Sequence, residues 1–236
     1  MADYVLHYAP DNASLVIRLV LEELGVPYQT KLVDRNVRAQ RSDAYMALNP
    51  VGRIPALETP HGPVFETAAI ALWLADTHRD AVHLSPSLEA PDRARFLSWL
   101  FFLSNTVHAE LRTLFYPSTI VGENADAQAA LQIRTQKNLL RHYALLNTEC
   151  ESSGVFGGTT PNLCDFYTAA VLRWPAIYPA ASDRSWFSLS NWPALERLAH
   201  QVEARPSTAA LIMAEGMGPT PFTKPALPNP PEGSAI

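Results

Sequence analysis

Cysteine, long apolar runs and clustered basic charge are all scarce in this chain. Its two cysteines, Cys150 and Cys164, fall in neither a Cys-x-x-Cys nor a Cys/His spacing. That pattern argues against a metal site and a disulfide framework, and predicts two reduced thiols in or near the core. Apolar stretches such as Trp99–Leu103 are far too short to span a bilayer. Lysine and arginine are scattered and the formal net charge is −5, so no basic footprint for nucleic acid or anionic lipid is expected. Met1-Ala2-Asp3 leads directly into a strand pattern, without the basic flank and apolar core of a leader segment. The expectation is a soluble, cytoplasmic protein with no metal, nucleic-acid or membrane partner. What is present in quantity is apolar residue. A 47% hydrophobic share can build a core, and 17% charged residues is low for a disordered chain.

Tyr4–Tyr8 reads as a strand and Pro10-Asp11-Asn12 as a turn. Residues 15–24 are apolar at helical density and are stopped by Gly25 and Pro27. Alternation over Tyr28–Val33 predicts a half-buried strand. A polar loop with Arg35, Arg38 and Arg41 leads to a short helix near 44–48. Short strands at 54–58 and 64–65 flank the turn Pro60-His61-Gly62 as a hairpin, and a helical run follows to about Thr77. The order gives a small α/β domain over residues 1–80. From Glu89 the pattern is helical, with segments at 92–115, at 125–151, from Asn162 onward, and from 193 to about 205. Asn162 and Asp165 have capping-box spacing, with Asp in place of Glu. An all-helical domain over 89–215 is expected, then a tail over 216–236. Prolines at 219, 221, 225, 228, 230 and 231 keep that tail from being helical. It is read either as a loose polyproline segment or as one that folds Phe222 back as a lid or onto a partner subunit.

Two segments of the first domain carry the chemistry. Asn49-Pro50-Val51-Gly52-Arg53-Ile54-Pro55-Ala56-Leu57 puts Pro55 at the threshold of a short strand, where its missing N–H is awkward in a central ladder. A cis Ile54-Pro55 bond accounts for this and turns the Ile54 backbone toward a ligand. Nine residues on, Glu66-Thr67 sets an acid and a hydroxyl at the start of a helical run. Unpaired backbone N–H groups collect there and bind a carboxylate.

In these motifs, their order and their spacing, the chain resembles the cytosolic glutathione transferases over roughly residues 3–215. The resemblance implies an α/β thioredoxin-like N-terminal domain followed by an all-α helical domain, the glutathione transferase fold. It implies glutathione as substrate, a detoxifying role and a homodimer. It assigns Ile54, before Pro55, to backbone pairing with the cysteinyl part of glutathione. Glu66 and Thr67 take the γ-glutamyl end, Arg38 the glycine carboxylate, and Arg53 joins the same binding set.

Such a site must ionise a thiol whose free pKa is about 8.5. One hydrogen bond to a charged group, about 1.5–3 kcal/mol, lowers that pKa by roughly one or two units. The N-terminus of the first helix is the place for the donor, here Pro10 to Ser14. The β class of bacterial relatives has a cysteine and a serine at the positions of Ala13 and Ser14. Theta and zeta relatives carry an activating serine near Asp11 and Asn12. This chain has neither that cysteine nor that serine. Ser14 Oγ, Asn12 Nδ2 and a backbone N–H remain as candidates, and capping is the structural alternative for both side chains.

Asn105, His108, Arg112 and Tyr116 recur at three- and four-residue spacing as a polar stripe on an apolar helix. One reading is a solvated face or a partnered core histidine. The other is a second-substrate pocket, in which His108, where β-class members have a histidine, acts as acid or base. Trp73, Phe96 and Trp99 supply the apolar surface for a twofold dimer. The expected function is activation of the glutathione thiol for attack on small hydrophobic electrophiles. The alternatives are a non-catalytic glutathione-binding or regulatory module of the same fold, and a glutathione-dependent ether lyase or isomerase.

Overall fold

Seven elements alternate through the first part of the chain: β1 (Tyr4–Tyr8), α1 (Ser14–Leu24), β2 (Tyr28–Leu32), α2 (Asp43–Met46), β3 (Ala56–Thr59), β4 (Gly62–Phe65) and α3 (Thr67–Thr77). This is a computed structural model, and it describes residues 3–152 and 154–230. Pro231 of the tail lies outside the described residues. The strands form one sheet in the order β2-β1-β3-β4. β1 runs parallel to β2, so the crossover helix α1 must join them; β3 and β4 are antiparallel and need only a tight turn. The result is thioredoxin-like. Leu15, Val16, Ile17, Leu19, Val20 and Leu21 of α1 are wholly buried, and Gly25 ends the helix at φ 63, in the left-handed region. β2 departs from the half-buried strand expected. It is an edge strand, and Gln29, Thr30 and Lys31 are exposed.

By packing, the chain falls into two units. The first holds residues up to Leu88 together with Glu203–Pro221 and the described residues from Ala226; the second holds Glu89–Val202 and Phe222–Pro225. The division differs from a helical domain running to 215. The reason is α10 (Pro206–Glu215), a helix absent from the sequence expectation because Pro206 reads as a terminator. Pro206 instead occupies the first helical position, where a missing N–H costs nothing. Arg205 grips both carboxylate oxygens of Glu23 on α1 at 3.0 and 2.6 Å, and Ser207 Oγ donates to the same group. The tail is not loose over its described length. Phe222 is buried, and the Asn229 N–H donates to the Gly216 carbonyl at 2.8 Å.

The second unit contains α4 (Arg93–Phe102), α5 (Ala109–Phe115), α6 (Ser118–Val121), α7 (Ala125–Glu151), α8 (Leu163–Ile177) and nearly all of α9 (Pro193–Glu203). A π-helical turn, Leu103–His108, joins α4 to α5. Every residue of α8 except Ala176 is buried, which makes it the centre of this unit. Its start is the expected capping box. Asn162 Oδ1 accepts the Cys164 N–H at 2.9 Å, and Asp165 Oδ2 accepts the Asn162 N–H at 2.8 Å. The aromatic residues expected on a dimer surface find partners within the chain. Phe96 is fully buried, Trp73 packs edge-on against Tyr4, and Trp99 against Phe102 and Phe156. Among the described residues no helix is long and apolar enough to cross a membrane.

Candidate functional site

The strand register brings four candidate segments to one end of the first unit's sheet. His7 pairs with Ala56, and Ala56 with Phe65. The exit of β1 into Pro10–Asn12, the entry to β3 through Ile54-Pro55, and the junction of β4 with α3 at Glu66-Thr67 therefore adjoin. β2, parallel to β1, ends at the same side and leads to Arg38. The Ile54-Pro55 bond is cis, and Ile54 lies outside the ladder, which begins at Ala56. Its backbone N–H and carbonyl make no hydrogen bond among the described residues. The peptide before it is pinned: Tyr45 Oη and Asn49 Nδ2 both donate to the Arg53 carbonyl at 2.7 Å. Arg41 steadies the loop by donating to the Val51 carbonyl at 3.2 Å. Tyr45 escaped the sequence reading, which named Arg41 in its polar loop and Asn49 in its motif without giving either a role.

Glu66 has φ 72, a left-handed backbone that a non-glycine residue adopts only under constraint. Its carbonyl accepts the Ile70 N–H at 2.9 Å, but its side chain provides no cap, so the first-turn N–H groups of α3 have no side-chain acceptor from it. The Glu66 side chain is exposed and Thr67 is buried. Arg38 and Arg53 are exposed, and neither guanidinium makes a hydrogen bond among the described residues. An acceptor-rich, dipolar, peptide-like ligand fits this set, with its carboxylate on the α3 N-terminus.

At the start of α1 the two side-chain candidates separate. Ser14 is fully buried, and its hydroxyl donates to the Ala9 carbonyl at 3.1 Å. This corrects its place as a thiol donor: the hydroxyl proton is already committed. Asn12 is half-buried; its Oδ1 accepts the Ala13 N–H at 2.8 Å, while Nδ2 has no partner among the described residues. Asp11, at φ 51, gives its N–H to Glu215 Oε2 at 2.8 Å. Glu215 Oε1 takes Arg18 Nε at 2.9 Å. No sequence pattern ties residue 215 to residue 11, so this pair was missed.

In the second unit His108 Nδ1 lies 2.8 Å from Tyr167 Oη, and its ring stacks at a tilt on Trp174, with centroids 4.9 Å apart. The partnered histidine is thus the arrangement found. Slower winding through the π turn carries Asn105 off the line of His108 and Arg112, and Asn105 is exposed beside Ser104. Tyr116 follows the end of α5 and is 41% exposed. None of the four lines the hollow bounded by Leu114, Gln132, Ile133 and Trp186. Both cysteines are free and buried. Burial pushes the Cys150 thiol up to about 12 and Cys164 well above its ordinary value, so neither offers a thiolate near neutral pH.

A sequence model of the glutathione S-transferase N-terminal domain matches residues 13–77. The chain is 26% identical over 213 residues to glutathione S-transferase GST-4.5 of Xanthomonas campestris pv. campestris, spanning 90% of this chain and 98% of that one. It is 27% identical over 232 residues to the disulfide-bond oxidoreductase YfcG of Escherichia coli strain K12, with 90% and 96% covered. Among solved structures, a sphingomonad glutathione S-transferase complexed with glutathione aligns at a TM-score of 0.73 and 29% identity, over 91% of this chain and 100% of that one.

Proposed function

Starting from the chain's membership of the cytosolic glutathione transferase family, we propose that it binds glutathione at the end of its sheet and ionises the thiol for attack on small hydrophobic electrophiles. One observation carries the reading. The unpaired Ile54 backbone and the N-terminus of α3 behind Glu66 lie at one sheet end with the start of α1. The cysteinyl backbone of glutathione would extend the sheet along Ile54. The γ-glutamyl carboxylate would take the N–H groups at Thr67 and its amine the Glu66 carboxylate. Arg38 and Arg53 would meet the glycine end. The thiol would then fall to Asn12 Nδ2 at the α1 N-terminus, whose dipole favours a thiolate. No protein cysteine takes part. In the second unit, His108, the last residue of the π turn, and Arg112 of α5 stay the proposed second-substrate residues of the stripe.

The burial of Ser14 favours a second reading, in which glutathione is held but not activated. Calorimetry tests the site itself. Glu66→Ala would take the carboxylate from the ligand's ammonium and should weaken glutathione binding by about 1–3 kcal/mol. Unchanged affinity would rule out this placement. Turnover of electrophiles, aryl ethers, peroxides and disulfides then separates transferase from lyase, reductase or binding module. A sedimentation mass of two chains would support a homodimer.

A further inference from the structure

The carboxylate of Glu215 is wholly buried at the end of α10, and its two oxygens do different things. Oε1 meets Arg18 Nε at 2.9 Å, and Arg18 also lies over the Tyr8 ring at 4.7 Å and donates to Tyr28 Oη at 3.3 Å. That half of the arrangement neutralises a buried charge and joins β1, α1 and β2 to α10. An ion pair needs no more. Oε2 reaches instead to the N–H of Asp11, 204 positions away, at 2.8 Å. Asp11 is a non-glycine residue at φ 51, between Pro10 and Asn12, in the turn that feeds α1. Left-handed backbone is uncommon outside glycine, and aspartate takes it as a single residue in turns, where a bond to its N–H helps to hold it. The next residue's carbonyl accepts the Leu15 N–H at 2.8 Å, so the Asp11 peptide sets the direction in which Asn12 points.

We propose that Glu215 is a positioning residue for thiol activation: through the Asp11 N–H it fixes the turn that aims the Asn12 amide at the bound thiol. This rests on the glutathione reading above. The acceptor is itself held from behind. Gly216 ends α10 at φ 65, and a Cβ there would clash with the Asn229 carbonyl, so the returning tail packs directly on the residue after Glu215. Burial raises the Glu215 carboxyl above its ordinary value against the pull of Arg18 and the Asp11 N–H.

Removing one partner alone would strand a buried charge, so the test compares two double variants without it. Arg18→Met with Glu215→Gln keeps an acceptor for Asp11; Arg18→Met with Glu215→Leu does not. The readouts are amide exchange at Asp11, the thiol pKa of bound glutathione, kcat/KM, and affinity for S-methylglutathione, which has no thiol to ionise. In the Leu variant Asp11 exchange should rise at least about tenfold, the bound thiol pKa should rise by about one unit, and kcat/KM should fall about tenfold. The Gln variant should match wild type in exchange and thiol pKa, and both should bind S-methylglutathione as wild type does. Glu215→Asp, which keeps a charge for Arg18 but draws the carboxylate back from Asp11, should resemble the Leu variant and serves if that one fails to fold. Equal thiol pKa values in the Gln and Leu variants would overturn the proposal while leaving the glutathione site standing. An unshifted thiol in the wild-type complex would overturn the activation reading, and the proposal with it.

Discussion

Asn12 and Ser14 are both short polar residues at a helix start, and the sequence offers no ground for choosing between them. Their neighbours do. Ser14 is spent on the Ala9 carbonyl, whereas Asn12 uses only its oxygen and keeps its amide hydrogens. Ser14→Ala should therefore cost about 1–3 kcal/mol of stability, read from urea midpoints, and leave the bound thiol pKa unchanged. Asn12→Ala should do the reverse, with stability nearly kept and the bound thiol pKa raised by about one or two units in a thiolate absorbance titration. The cysteines make a comparable case. Their spacing was enough to set metal and disulfide roles aside, but only burial shows why they are inert. Cys150 and Cys164, both with raised thiol pKa values, should stay unalkylated by iodoacetamide in the native protein at neutral pH, by mass spectrometry.

Elements with a local signal were legible; those fixed by distant contacts were not. The cap at Asn162 could be read because its partners are three residues apart, and Gly25 because a left-handed helix end favours glycine. The π turn at Leu103–His108 has no such mark, so a stripe drawn at α-helical spacing ran straight through it and misplaced Asn105. The capping box also carries a pH signature. Burial outweighs the N–H groups of Asn162 and Gly157 and raises the Asp165 carboxyl to about 6, against 3.8 ordinarily. A folded pKa above the unfolded one means that the fold holds this proton more tightly. The contribution is therefore complete below about pH 4 and is lost as pH rises through about 6. Relative to Asp165→Asn, which has no such titration, wild type should lose about 2 kcal/mol between pH 4 and 7 in urea unfolding.

Across the whole chain, the sheet-end motifs were legible because each is contiguous, yet the parts that hold them come from far along the sequence. Pro206 begins a helix instead of ending one, and that helix delivers Glu215 to Asp11. Two glycines test how far the tail belongs to this unit. Gly25 and Gly216 both end helices in the left-handed region, but a Cβ at Gly25 meets nothing within 4 Å while one at Gly216 meets Asn229. Gly25→Ala should cost about 1–2 kcal/mol, the ordinary left-handed penalty, and Gly216→Ala clearly more, by thermal melting. In a chain ending at Leu227 the two penalties should converge. Ionisation of the glutathione thiol without a protein cysteine is the claim on which the function turns. Titrating the thiolate absorbance of the wild-type complex tests it most directly. A pKa lowered by a unit or more from the free value of about 8.5 is the expected result, and glutathione bound with an unshifted thiol would contradict it.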